Sequence, residues 1–377
     1  MNLRILLPIT IALIALADDN VSQADDVPLS RIAFGSCVRQ DLPQPIWDTI
    51  ADNDPELFIF LGDNIYGDTE DMDLLRAKYK MLADQPGLQK LKAKSQILGT
   101  WDDHDYGAND AGSEYAKKRE SQQIFLDFFD VPADSSRRNR EGVYHSQVFG
   151  PVGKRVQVIL LDARYHRSAL KTEYKPSERN EGYRGKYSPN NDPDATVLGE
   201  EQWQWLAEQL KAPAELRLIC SGVQVLADEH GSEMWGNFPR ERERLLSLLR
   251  QSGTGGAVLL SGDRHLSEIA RLNVEHPKSI GYPLFDITSS SLNHPSGNFT
   301  KAGTRFANEI NSYRVGLTYF EVNFGMIQID WDQADPVVRM QVRDAAGDVV
   351  MQQRVSLSQL QPKSNIQDQK PRTAERN

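Results

Sequence analysis

The chain has 377 residues, 53 acidic against 43 basic side chains and a net charge of −10. That balance counts against a nucleic-acid surface, which needs a basic stripe, but does not exclude an anionic substrate, because a bound cation reverses the field inside a pocket. With 39% hydrophobic and 25% charged residues, the composition is that of a soluble globular protein, long enough for one large domain or two smaller ones.

Arg4 precedes an apolar run from Ile5 to Ala17, followed by polar sequence. The run is short for a membrane span and predicts a cleaved signal peptide over 1–24, with Ala15-Leu16-Ala17 and Ser22-Gln23-Ala24 as candidate boxes. A retained N-terminal anchor is the alternative. No Arg-Arg pair precedes the run, so the expectation is a periplasmic or secreted protein exported by the general secretory route. Short apolar runs then predict strands at 31–37, 57–63, 95–99, 156–162, 216–222 and 257–263. Helical spacing falls between several of them, at 43–53, 72–85, 88–94, 199–212 and 238–251. That alternation implies sheets covered by helices. Toward the C-terminus "YFEVNF", "MIQIDW", "VVRMQVRD" and "DVVMQQRVSL" predict consecutive antiparallel strands. Segment 166–198 has no sustained period, which is unusual unless it lines a site or is mobile. The polar stretch 362–377 predicts a disordered tail. Cys37 and Cys220 are the only cysteines; an oxidising compartment permits their pairing, although Cys37 has a competing use.

Potential ligands fall at the ends of predicted strands. Cys37 ends "IAFGSC", Asp63 ends "LFIFLGD", Asp102, Asp103 and Asp105 follow "QILGTW", and Asp263 ends "AVLLSGD". In α/β architectures the carboxyl ends of strands are where sites form. Turn formation or helix capping accounts for any one of these acids, but not for Asp-Asp-His-Asp at 102–105 or for Asp263 paired with His265. Carboxylates suit hard cations, whereas imidazole and thiolate favour transition metals. Tetrahedral structural zinc is a poor match. Ser221 stands outside a Gly-x-Ser-x-Gly elbow, so no serine esterase can be read here.

"FGSC", "GDNIYGD", "WDDHDYG", "LDARYHR", "SGVQV", "WGNFPRERERLL" and "LLSGDRHLSEI" occur in this order. The set resembles the PhoD-like alkaline phosphatases and phosphodiesterases of the metallophosphatase superfamily, over roughly residues 31–350. The resemblance implies an α/β fold, a four-layer α/β/β/α sandwich with two mixed central sheets, forming one catalytic domain over 25–361. It implies two metal sites, iron(III) plus calcium or another divalent ion. Cys37 and Tyr66 correspond to ferric ligands and Asp63 to the bridge, while Asp263 and His265 complete the set. Asp103 stands where the superfamily has asparagine, which puts the second metal's identity in question. His104 takes the position of the catalytic histidine, a donor to the phosphate or leaving oxygen, with a metal-ligand or supporting role as the alternative. Asp105 is expected to orient His104, and Asp102 to point outward or cap the next segment. Arg164 is a candidate phosphate clamp, the alternative being a salt bridge to Asp162 or another surface acid. Asn109, His230, Trp235 and Arg242 are candidates for the mouth or its support. His145, His276 and His294 have no positional argument.

The expected activity is metal-dependent phosphoric ester hydrolysis by in-line attack of a metal-bound hydroxide. An alkaline phosphatase with overlapping phosphodiesterase activity is the preferred form. A dedicated phosphodiesterase or phospholipase D-like enzyme is the alternative, followed by a non-catalytic metal- or phosphate-binding protein. The expected partner is a phosphate ester, with phosphodiesters and phospholipids included, and no nucleic-acid partner is implied.

Overall fold

The computed structural model describes residues 27–172, 185–298, 306 and 309–362. The expected signal peptide lies outside the described residues, as does the expected tail beyond Pro362. Two six-stranded sheets dominate. In the first, β1 (Arg31–Gly35), β2 (Leu57–Leu61) and β3 (Gln96–Thr100) run parallel. β10 (Asn323–Asp330), β11 (Val337–Asp344) and β12 (Val349–Ser356) extend that sheet antiparallel from β1, giving the order β12-β11-β10-β1-β2-β3. In the second, β5 (Val156–Leu160), β6 (Leu216–Ser221), β7 (Ala257–Ser261) and β9 (Leu284–Ser289) are parallel. Antiparallel β4 (His145–Phe149) and β8 (Ser267–Leu272) close its edges.

The unbroken apolar runs of the central strands follow from burial on both faces. In β1 and β2, Phe34, Leu57, Ile59 and Leu61 enter a core shared with Val158, Ile219 and Leu259 of the other sheet. The alternate residues Ala33, Phe58 and Phe60 face outward, onto α1 (Ile46–Asp52), α2 (Met72–Ala83), α3 (Pro86–Lys92) and α5 (Lys118–Phe128). Leu75, Leu88, Leu91 and Phe125 form the apolar stripes of the last three of those helices. On the far side, Trp203 and Leu206 of α6 (Glu200–Gln209) and Leu245, Leu246 and Leu249 of α7 (Pro239–Ser252) cover the second sheet. The result is the four-layer sandwich with two mixed sheets that the sequence implies. Local chemistry sets the helix ends. Asp71 caps α2 by accepting from Asp73 and Leu74 N–H, while Pro239 opens α7 and the left-handed Gly253 (φ 63°) closes it.

The structure departs from expectation in several elements. β4, β8, β9 and α5 have no counterpart in the sequence reading. The predicted break between "YFEVNF" and "MIQIDW" is absent, since β10 runs continuously from Asn323 to Asp330. Cys37 and Cys220 are buried and both free. The described parts of 166–198 are pinned in place: Lys171 bridges Ser188, and the Glu241 carboxylate accepts from Thr196 Oγ1, Val197 N–H and Trp203 Nε1. Among the described residues no helix is long and apolar enough to cross a membrane.

Candidate metal centre

Both sheets send their parallel strands toward one place. Cys37 follows β1, Asp63 follows β2, Asp103 begins the short α4 (Asp103–Tyr106) after β3, and Asp263 and His265 follow β7. Three of these turns use left-handed backbone at four non-glycine residues: Cys37 (φ 58°), Asp63 (48°), and Asp263 (69°) with His265 (53°). Each such residue costs roughly 1–3 kcal/mol and persists only where its surroundings enforce it. Gly62 (φ 91°) precedes Asp63, and a Cβ there would meet the Asp102 Cβ at 2.3 Å. That close approach, with the positive φ, requires glycine.

The strand ends bring the candidate ligands together. Cys37, Asp63 and His265 offer atoms within 4.8 Å of one another, as do Asp63, Asp103 and His104, and Asp102, Asp103 and Asp263. Cys37 Sγ and the Tyr66 hydroxyl both donate to Asp63 Oδ2, at 3.3 and 3.2 Å, and the same hydroxyl is 3.5 Å from His265 Nε2. His265 Nδ1 lies 2.6 Å from the His294 carbonyl. A carbonyl only accepts, so Nδ1 carries the proton and the neutral ring turns a lone pair on Nε2 toward Asp63 and Cys37.

Two expectations are corrected. Asp105 does not touch the His104 ring. It accepts from Asp63 N–H, Asp102 N–H, Asn64 Nδ2 and the Tyr79 hydroxyl, at 3.1, 2.7, 2.6 and 3.1 Å, and so ties the β2 and β3 loops together. Asp68 holds His104 instead, its two oxygens 2.8 and 2.9 Å from Nδ1. Arg164 is not an open phosphate clamp. It is fully buried, with Nε and Nη2 on Asp102 Oδ1 at 2.6 and 2.5 Å and Nη1 on Glu233 at 2.6 Å. Asp102 points inward to this pair. Asp162, named as the arginine's alternative partner, takes backbone N–H groups instead, those of Arg164, Tyr165 and Val143.

Electrostatics mark the cluster as cation-hungry. Burial pushes the Cys37 thiol up to about 11, and burial with Asp103 and Glu233 nearby pushes Asp263 up to about 7. Burial and then the Cys37 neighbour raise Asp63 well above the carboxylate range. For His104 burial works downward, but Asp63, Asp103 and the Asp68 hydrogen bond prevail and bring it to about 10. Asp63 Oδ1 is buried and has no hydrogen-bond partner, which is costly unless a cation answers it. Thiol, phenol, imidazole and carboxylates around that side chain fit a transition ion next to a harder one.

A cleft of about 360 Å³ opens above the cluster, walled by Asp103, His104, Asn109, Asp110, Lys186, Tyr187, Glu233, Asp263 and His265 among others. Asn109 therefore lines the mouth. His230, Trp235 and Arg242 are buried supports: His230 Nε2 meets Gln224, Trp235 Nε1 donates to Ser221 Oγ, and Arg242 donates to the Val225 and Leu226 carbonyls. The segment 166–198 reaches the cleft through Lys186 and Tyr187. Asp68, Asp110, Glu233, Lys186 and His294 were missed in the sequence. Asp68 closes "GDNIYGD", so that motif contained it without distinguishing it, and Asp110 lies three residues past "WDDHDYG"; Glu233 and His294 carry no local signal.

Comparison with known proteins agrees with this arrangement. A family model described as PhoD-like phosphatase matches residues 32–339. Alkaline phosphatase D of Bacillus subtilis (strain 168) is 22% identical over 292 residues, covering 67% of this chain and 49% of that protein. This chain thus spans about half the length of that relative. A solved structure of PhoD shares 17% identity at a TM-score of 0.65, over 88% of this chain and 69% of that one. A dimetal phosphatase from Danio rerio shares 14% identity at a TM-score of 0.51, over 88% of this chain and 100% of that one. The two structures establish likeness of fold.

Proposed function

The chain belongs to the PhoD-like phosphatase family, and from that membership we propose that it hydrolyses phosphoric esters at a two-metal centre, as a phosphomonoesterase with overlapping phosphodiesterase activity. One observation carries the reading: Cys37, Asp63, Asp103, Asp263 and His265 converge from the strand ends of both sheets as overlapping groups of potential ligands, with one buried Asp63 oxygen left without a hydrogen-bond partner. Cys37, Tyr66 and His265 suit iron(III), Asp103 and Asp263 suit calcium or another divalent ion, and Asp63 lies between them. Bound there, the two ions acidify a water and neutralise phosphoryl oxygens.

The chain's own contribution is positional. Asp68 holds Nδ1–H of His104, so the protonated ring presents its other N–H to the leaving oxygen and acts as general acid. Asp105 keeps the Asp63 and Asp102 backbones in register. Arg164 fixes Asp102 beneath the cluster, 4.0 Å from Asp103 Oδ1. Export to the periplasm or beyond, directed by residues 1–24, belongs to the same reading.

The test is elemental analysis of protein purified without chelator, combined with turnover of matched mono- and diesters. Stoichiometric iron, a visible tyrosinate-to-iron absorption and faster monoester hydrolysis are expected. Active protein lacking both iron and that absorption overturns the ferric assignment. Asp63→Ala or Asp263→Ala with undiminished metal and turnover overturns the centre. A diester rate far above the monoester rate makes the enzyme a dedicated phosphodiesterase.

A further inference from the structure

The cleft above the cluster has acidic walls, with Asp103, Asp110, Glu233 and Asp263 facing it. Among the described residues Arg264 and Lys186 also line it, beside the His104 imidazolium that serves the leaving oxygen. Arg264 is buried and committed, its Nη2 held by both Glu309 oxygens at 2.8 and 2.7 Å. Lys186 keeps 63% of its side chain exposed, with Nζ 3.0 Å from Asp110 Oδ2. An ion pair this exposed contributes little to folding, so a ligand displaces it at small cost. Asp110 is not stranded by the exchange, because the Tyr187 hydroxyl also donates to it.

The position of the ammonium defines what it can recognise. Asp110 offers an oxygen within 4.8 Å of the Asp103 and Glu233 ligand atoms, and Lys186 pairs with Asp110. The ammonium is thus one carboxylate removed from the metal cluster, within the span of a small substituent on a phosphate held there. A cleft of about 360 Å³ lies at the small end of ligand sites, which run from roughly 300 to 1,000 Å³.

We infer that Lys186 is a specificity-determining residue that receives a second anionic group of the substrate, one that is not hydrolysed. The substrate class is then a small organic phosphate bearing a further carboxylate or phosphate. The inference rests on the phosphatase reading and goes beyond it in naming what lies past the scissile bond.

The experiment compares phenyl phosphate with its para-carboxy analogue on metal-replete enzyme, in wild type, Lys186→Met and Lys186→Arg. Binding of benzylphosphonate and para-carboxybenzylphosphonate, which are not hydrolysed, is measured by calorimetry in parallel. Lys186→Met is expected to lower kcat/KM for the carboxylated ester about tenfold more than for phenyl phosphate, as loss of one charge-assisted hydrogen bond predicts. The effect appears in KM, is mirrored in phosphonate affinity, narrows at high salt and is largely restored in Lys186→Arg. Equal losses on both esters, or an unaltered preference in Lys186→Met, overturn the inference and leave the phosphatase reading standing. Wild-type protein that hydrolyses neither ester removes the phosphatase reading itself.

Discussion

His104 and His265 are held by different kinds of acceptor, and the difference assigns their work. The His294 carbonyl fixes the His265 tautomer, and burial outweighs that bond to keep the ring neutral, which suits a metal ligand, whereas the Asp68 carboxylate favours an imidazolium, which suits a proton donor. Asp68→Asn is therefore expected to lower kcat on the order of 10- to 100-fold with bound metal unchanged, measured by turnover and elemental analysis together. Asp105→Asn, by contrast, loosens two loops and lowers stability. A second histidine gives a pH prediction unconnected with catalysis. Burial, with Arg137 and Arg140 nearby, lowers His145 from 6.5 to about 3. The unfolded chain binds this proton below about 6.5 while the folded chain refuses it until about 3, so stability falls as pH falls through that window. Denaturation midpoints of His145→Gln, followed over the same range, are expected to fall less steeply than those of the wild type.

At the scale of elements, the loop after β3 is fastened from below by a buried charge network. Arg164 joins Asp102 to Glu233, and Arg167 approaches Glu233 at 3.1 Å. Removing one partner of such a network strands the others, so Arg164→Met is expected to cost about 3–5 kcal/mol in urea denaturation. Adding Asp102→Asn and Glu233→Gln to that variant is expected to recover part of the loss. The same scale explains what the sequence made legible. β1, β2 and β7 are buried on both faces, so they read as unbroken apolar runs ended by Cys37, Asp63 and Asp263. β4 and β8 are edge strands, and "HSQVF" and "SEIARL" carry polar residues that hide them. α5 begins with six polar residues, "KRESQQ", before its apolar stripe. The ligands were legible because they close strands. Their supports were not, because Asp68 reaches His104 from 36 residues away and Glu233 reaches Arg164 from 69. Only the packed chain makes those meetings.

For the whole molecule, the candidate centre lies where the two sheets' parallel strands end, so ions held there would link both sheets. Ions that bind the folded chain alone stabilise it by about 3 kcal/mol at a hundredfold excess over Kd. Dialysis against chelator is expected to lower Tm on the order of 5 °C, with calorimetry showing recovery on re-addition of metal. A chain that melts identically with and without chelator contradicts this. One pairing bears on when that linkage forms. β1 lies between β2 and β10, with Ile32 opposite both Leu57 and Ile327. The sheet that carries Cys37 and Asp63 cannot close until a strand from near the other end of the chain has been made and delivered. On the two-metal reading, loading is then a late event in the protein's life, and the ions acquired are those of the compartment where folding finishes, not of the place where synthesis begins.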